Sequence, residues 1–237
     1  MLEDLAKSIA QLGDGRVKVR VVLADLSDAA QVTQMVNEIK DVKVSVLINN
    51  AGYGANGQFD KVDLGVQLKM ISVNCSALLQ LTHHVVSEHR KALTSNKNKE
   101  SIGAIAIVNI GSIAAAPCGL PWQTTYAATK AFVSSFSHGI AYSLKNDNVR
   151  VILVEPGTIV DTEFQDRSKQ PKHAGANTCD SVLASTIDRL RRPNSNYHVI
   201  PALHDYITYY ASKFLPDKLI LRLGAKRGLE YSPVELR

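Results

Sequence analysis

Short Val- and Ile-rich runs alternate with longer amphipathic stretches along this chain, and no other feature constrains its fold as strongly. Val17–Leu23, Val44–Asn49, Ala104–Ile110, Val149–Val154 and Tyr197–Ile200 read as strands. Most are apolar on both faces, the pattern of parallel strands covered by helices on either side. Ala29–Ile39, Leu64–Leu93, Thr124–Leu144 and Asp180–Leu190 read as helices. This alternation predicts an α/β fold with a parallel sheet. Thr94–Glu100 reads as a surface loop. Asp161–Thr178 follows a strand end, where open α/β sheets bind ligands, and reads as a substrate lid or a plain loop. The tail from Tyr206 to Arg227 mixes apolar with basic residues, as a helix docked on the body or one lying on a membrane surface does.

Composition narrows the class further. The 237 residues are 45% hydrophobic and 21% charged, which suits one globular domain. Uninterrupted apolar runs reach only about six residues against the roughly 20 of a membrane span, so no spanning helix is expected. No basic start with an apolar run behind it announces a secretory signal. Cys75, Cys118 and Cys179 are odd in number and widely spaced; they exclude a disulfide scaffold, form no metal-ligand pattern and favour a reducing compartment. The net charge of +5 is spread along the chain; it suits an anionic cofactor and does not argue for nucleic acid.

The most informative stretch is Ala104–Lys130. A strand ends in Asn109-Ile110-Gly111-Ser112, a loop with glycine and prolines follows, and a helix opens carrying Tyr126 and Lys130. Four residues is slightly more than one helical turn, so phenol and ammonium share a face. Reducing a ketone, or oxidising an alcohol, needs a proton donor or acceptor at oxygen while hydride moves at carbon. A free phenol, with a pKa near 10, is a poor base, and a nearby cation is expected to lower it. Ser112, at a strand's carboxyl end, can hold the substrate oxygen. The spacing alone is weak: Tyr209 and Lys213 repeat it, and read as a helix-surface coincidence. Gly52–Gly57 is a literal G-x-G-x-x-G, yet no helix follows directly and no acidic residue lies about 20 positions on, so it is a poor dinucleotide fingerprint. No G-x-S-x-G elbow supports a hydrolase, and His83, His84 and His89 read as polar-face helix residues.

Together these pieces resemble a short-chain dehydrogenase/reductase, nearest to the steroid and 3-oxoacyl reductases. The matching motifs are Asp25-Leu26-Ser27, Asn49-Asn50-Ala51-Gly52, Asn74, Asn109-Ile110-Gly111-Ser112, Tyr126-Ala127-Ala128-Thr129-Lys130 and Pro156-Gly157, in the family's order. The resemblance covers roughly residues 1–165, with 161–195 as lid region and 205–237 as amphipathic tail. It implies a single Rossmann-type, doubly wound domain. It implies that Tyr126 is the general acid/base, that Lys130 lowers its pKa and binds the nicotinamide ribose, and that Ser112 holds the substrate oxygen. Asn74 would complete a tetrad, its backbone carbonyl fixing a water. Asp25 and Leu26 would meet the adenine, Asn50, Ala51 and Gly52 the adenosine half, and Pro156, Gly157 and Ile159 the nicotinamide. No metal is implied.

The implied activity interconverts a ketone and a secondary alcohol with a nicotinamide cofactor, NADP(H) in preference to NAD(H). The substrate would be small or lipid-like. By analogy the protein would be a cytoplasmic homodimer or homotetramer, with peripheral contact at the cytosolic face of a membrane through the tail. Rival readings are a cofactor-deficient member of the fold and a sugar-nucleotide epimerase or dehydratase.

The sequence departs from the family at its start. The family opens with a strand, a Thr-Gly-x-x-x-Gly-x-Gly turn, a helix and a second strand. Met1–Ala6 already reads as the helix after that second strand, so the chain is expected to be N-terminally truncated by about 45 residues on the family layout. Weak dinucleotide binding is the expected consequence. The loop from Ser112 to Tyr126 is one residue longer than usual and is expected to bulge, and Thr162 lies one position too late to be assigned.

Overall fold

A computed structural model of the chain describes residues 2–12, 16–95, 103–164, 168, 177–192 and 197–231. Its residues group into two compact units, Met1–Val42 and Lys43–Arg237.

In the first unit, α1 (Leu2–Leu12) and α2 (Ala29–Glu38) flank a stretch of irregular backbone. Asp28 caps α2, its carboxylate accepting from the Ala30 amide at 2.8 Å. Asp25 instead accepts from the amide and the hydroxyl of Ser27, both at 2.8 Å. The strand expected at Val17–Leu23 is a correction: no ladder forms there, and Val17, Val19, Val21 and Leu23 are exposed. Apolar alternation marks a segment that fits a sheet, but a strand exists only where a neighbour takes its backbone hydrogen bonds.

The second unit is a Rossmann-type parallel sheet flanked by helices, in the order β1 (Val46–Asn49), β2 (Ile105–Ile110), β3 (Val149–Val154), β4 (His198–Val199). All three pairings are parallel. The helices are α3 (Leu64–Ile71), α4 (Leu78–Ser95), α5 (Thr124–Ser143), α6 (Cys179–Arg191), α7 (Leu203–Phe214) and α8 (Asp217–Tyr231). One sheet face packs Ile105, Ile107, Val149 and Val151 against Val85 of α4 and the end of α5. The other packs Val108, Ile152 and Val154 against Val182 of α6 and Val199. Two covered faces explain why β2 and β3 are apolar throughout rather than alternating, whereas β1, at the sheet edge, leaves Val46 and Ile48 exposed. At the register pair Asn49↔Asn109 the Asn49 Nδ2 donates to Asn109 Oδ1 at 2.8 Å, and Asn109 Nδ2 donates to Ser137 Oγ at 2.8 Å. These buried amides lock the strand ends that precede the candidate site.

A π-helical turn, Ser72–Ala77, joins α3 to α4. The combined run Leu64–Ser95 is 32 residues and holds an 18-residue window of mean hydropathy 1.2, long and apolar enough to cross a membrane, which uninterrupted apolar runs did not register. Its Met70, Leu78 and Val85 are buried in the core clusters. His89, expected on a polar face, is buried, its Nε2 2.9 Å from the Asp147 carbonyl oxygen. Much of the expected lid falls outside the described residues, as do most of the loop before β2 and the chain beyond residue 231.

Candidate active site

Three elements meet where β2 ends. Gly111 donates its amide to the Val154 carbonyl at 2.7 Å, keeping the chain on the sheet for one residue past the strand. Ser112 then turns away, its Oγ accepting from the Ala114 amide at 3.2 Å to cap a single 3-10 turn, Ile113–Ala115. A loop then runs on to α5. Trp122 sits there at φ 70, a region costly for a large side chain. Its carbonyl accepts from Gly57 at 2.8 Å and its indole donates to Ala225 at 3.2 Å, which together hold the strained backbone.

The first turns of α5 aim Tyr126 and Lys130 inward, and both are buried. The Lys130 ammonium donates to the Ile110 carbonyl at 2.9 Å and lies 5.8 Å from the Tyr126 ring centroid. Burial drives its pKa down from 10.5 to about 8, against the pull of Cys75 and Glu155. Burial also pushes the Tyr126 phenol up to about 12, and a hydrogen bond with the Ser112 hydroxyl opposes it in part. The net shift is upward, opposite to the acidification expected from Lys130. The ammonium is committed to a strand-end carbonyl, and desolvation of the phenol dominates.

Asn74 lies on the π-helical turn. Its Oδ1 accepts from the Tyr53 amide at 3.1 Å, and its Nδ2 donates to the Tyr53 carbonyl and to Thr129 Oγ1, each at 3.0 Å. The side chain thus latches the loop after β1 to α5, a job the sequence did not show for it. A Cβ on Gly52 would stand 3.1 Å from Asn74 Oδ1 and 3.7 Å from Lys130 Nζ. Asn50, Ala51 and Gly52 are exposed along the ledge leading there.

On the far side of β2, the Pro156 carbonyl accepts from Ile113 at 3.1 Å, and the Gly157 amide donates to Asp205 Oδ2 at 3.1 Å. Asn177 Nδ2 donates to the same oxygen at 2.6 Å, and Ile159 forms a parallel bridge with Asn177. Thr162 donates to the Ile159 carbonyl at 3.4 Å. Asp25 and Leu26 belong to the first unit, described by itself.

The tyrosine is closed in. Phe164 packs on it with ring centroids 5.7 Å apart, and a Cβ on Gly54 would lie 3.0 Å from Tyr126 Cδ2 and 3.1 Å from Phe164 Cζ. Met70, Ala114, Tyr53, Ala55 and Leu120 complete an apolar surround. Phe164, Thr129, Asp205 and Glu155 were missed from sequence. Only Glu155 left a signal there, a carboxylate set into the apolar run VILVEPG.

Of the groups beside the Gly52 ledge, the Lys130 ammonium keeps N–H groups beyond the one given to Ile110 and is of the donor type that suits a sugar hydroxyl.

Residues 1–173 match the short chain dehydrogenase family profile, and the chain belongs to that family of oxidoreductases. It is 31% identical over 176 residues to a 7beta-hydroxysteroid dehydrogenase of Clostridium sardiniense, covering 74% of this chain and 62% of that protein. It is 29% identical over 172 residues to a 3-ketodihydrosphingosine reductase of Bacteroides thetaiotaomicron, covering 71% and 60%. Its fold matches a short-chain dehydrogenase from Sphingobium yanoikuyae in complex with NADPH with a TM-score of 0.74 at 26% identity, over 97% of this chain and 81% of that one. The chain spans about 60% of the length of the curated relatives it matches.

Proposed function

We propose that the protein interconverts a ketone and a secondary alcohol using a nicotinamide cofactor, with Tyr126 as the proton-transferring group. The observation that carries this reading is the convergence of Ser112, Tyr126 and Lys130 at the end of β2. When bound, the cofactor supplies or accepts a hydride at the substrate carbon. The chain's own residues do the rest. Tyr126, kept protonated by its burial, donates its proton to the substrate oxygen in reduction. Ser112 orients that oxygen. Lys130 holds the ribose hydroxyls and offsets negative charge forming on the phenol. Asn74 fixes the loop carrying Gly52, with Asn50 and Ala51 beside the adenosine half, and Pro156, Gly157 and Ile159 at the nicotinamide.

The apolar surround of Tyr126 supports a lipid-like substrate. NADP(H) is the proposed cofactor, a preference supported by the NADPH-bound relative. Exposed Leu68, Ile71, Leu79 and Phe132 on the long helices support a homo-oligomer. Exposed Leu203, Ile207 and Phe214 on α7, beside Lys213 and Lys218, support contact with the cytosolic face of a membrane.

Purified protein titrated with NADPH, following Trp122 fluorescence, should bind saturably and more tightly than with NADH, and should oxidise NADPH when a hydrophobic ketone is added. A cofactor-deficient protein is the second reading, favoured by the packing of Phe164 and Gly54 on the Tyr126 ring. Absence of both binding and turnover would select it.

A further inference from the structure

Behind the candidate site lies a buried polar cluster that proton transfer at Tyr126 does not use. Glu155, the residue after β3, has no exposed surface. Its Oε2 accepts from His198 Nε2 at 2.7 Å, while Oε1 is buried with no hydrogen-bond partner among the described residues. The carboxylate lies directly against Gly111, where a Cβ would stand 2.8 Å from Glu155 Cγ and 3.1 Å from Oε1. Gly111 has two neighbours in sequence. Ile110 supplies the carbonyl that takes the Lys130 ammonium, and Ser112 supplies the hydroxyl that meets the phenol. One glycine therefore separates a buried carboxylate from both polar partners of the reacting group.

We propose that Glu155 is a positioning residue for the reaction at Tyr126: clamped by His198, it braces Gly111, and its negative charge supports the Lys130 ammonium in the interior. The proposal rests on the reading of Tyr126 and Lys130 as the reacting pair. The titratable and charged groups around Glu155 are His198 on β4, Lys130 and His138 on α5, and Tyr209, Tyr210 and Lys213 on α7. Lys130 is the one of these that also touches the site. Burial alone disfavours its charge, and Glu155 acts in the opposite direction.

The test replaces the charge and keeps the shape. In E155Q, the titration midpoint of Lys130, followed by NMR of carbon-13-labelled lysine and assigned with K130M, should fall by about one pH unit. E155D, which keeps the charge, should restore most of the midpoint. Replacing both members of a buried pair by apolar residues of similar size is often tolerated, so E155M/H198L provides a second folded variant with the same expected fall. An unmoved midpoint in either folded variant overturns the proposal. Loss of cooperative melting in both E155Q and E155M/H198L assigns Glu155 to folding alone and overturns it too. The measurement needs neither cofactor nor substrate, so a protein that fails to turn over leaves it intact, and the two readings fail separately.

Discussion

Two tyrosine–lysine pairs with identical spacing occupy this molecule, and they are built differently. On α7, Lys213 curls back onto its own tyrosine, donating to the Tyr209 hydroxyl at 3.1 Å with its ammonium 4.4 Å from the ring centroid. On α5, Lys130 reaches past its tyrosine to the Ile110 carbonyl, and the Tyr126 hydroxyl is left to Ser112. Both phenols are buried and both are pushed above their ordinary value, Tyr209 by burial and the Glu155 charge. Reading Tyr209 as a surface coincidence was wrong about its place, since it is 2% exposed and packs edge-on against His198. The comparison teaches that i,i+4 spacing yields a Tyr–Lys contact by default. On α5 the carbonyl at the end of β2 takes the lysine, and the serine two residues on meets the phenol.

The largest test of that contrast is a pair of phenylalanine substitutions. Y126F should lower ketone-dependent NADPH consumption by about a hundredfold to ten-thousandfold, the range of a lost general acid. Y209F should leave the rate within about twofold, and equal losses in the two would break the distinction. Next in size is Asn74, which makes three hydrogen bonds from a buried position. N74A should cost about 2–3 kcal/mol in urea unfolding, at roughly 1 kcal/mol per bond.

The lysine of the α5 pair also carries a pH signature. Lys130 titrates near 8 in the folded chain and at 10.5 ordinarily. Between those values the unfolded chain holds a proton that the folded chain has released, so this group makes stability rise with pH across that window. K130M should remove the rise, as chemical denaturation from pH 8 to 10.5 would show; an unchanged slope would mean that Lys130 keeps its ordinary value. On the other pair, Y209F removes the hydroxyl that meets Lys213, Ser134 and Glu155 and should cost about 1–3 kcal/mol, at roughly 1 kcal/mol per bond, measured by thermal melting.

How much was legible follows from distance along the chain. Ser112, Tyr126 and Lys130 fall within one strand–loop–helix unit, so strand direction and helical pitch nearly place them, and the structure brings them together. Asn74 was legible as a residue but not in its action, because a π turn and the Tyr53 backbone decide where its amide points. Glu155 with His198, Asp205 with Gly157 and Phe164 with Tyr126 each join segments that local pattern leaves unconnected. Val17–Leu23 failed in the opposite way. Its alternation is genuine, but sheet membership depends on a partner that no local pattern supplies.

By itself, then, the sequence determined the parallel α/β architecture and the order of residues along β2 and α5, because hydrophobic period and helical repeat are local properties. Only the tertiary structure decided which serine each tyrosine meets, which lysine is taken by a carbonyl, and that burial outweighs a neighbouring cation at the Tyr126 proton. Desolvation is a property of everything packed around a group, and that surround exists only once the chain has folded.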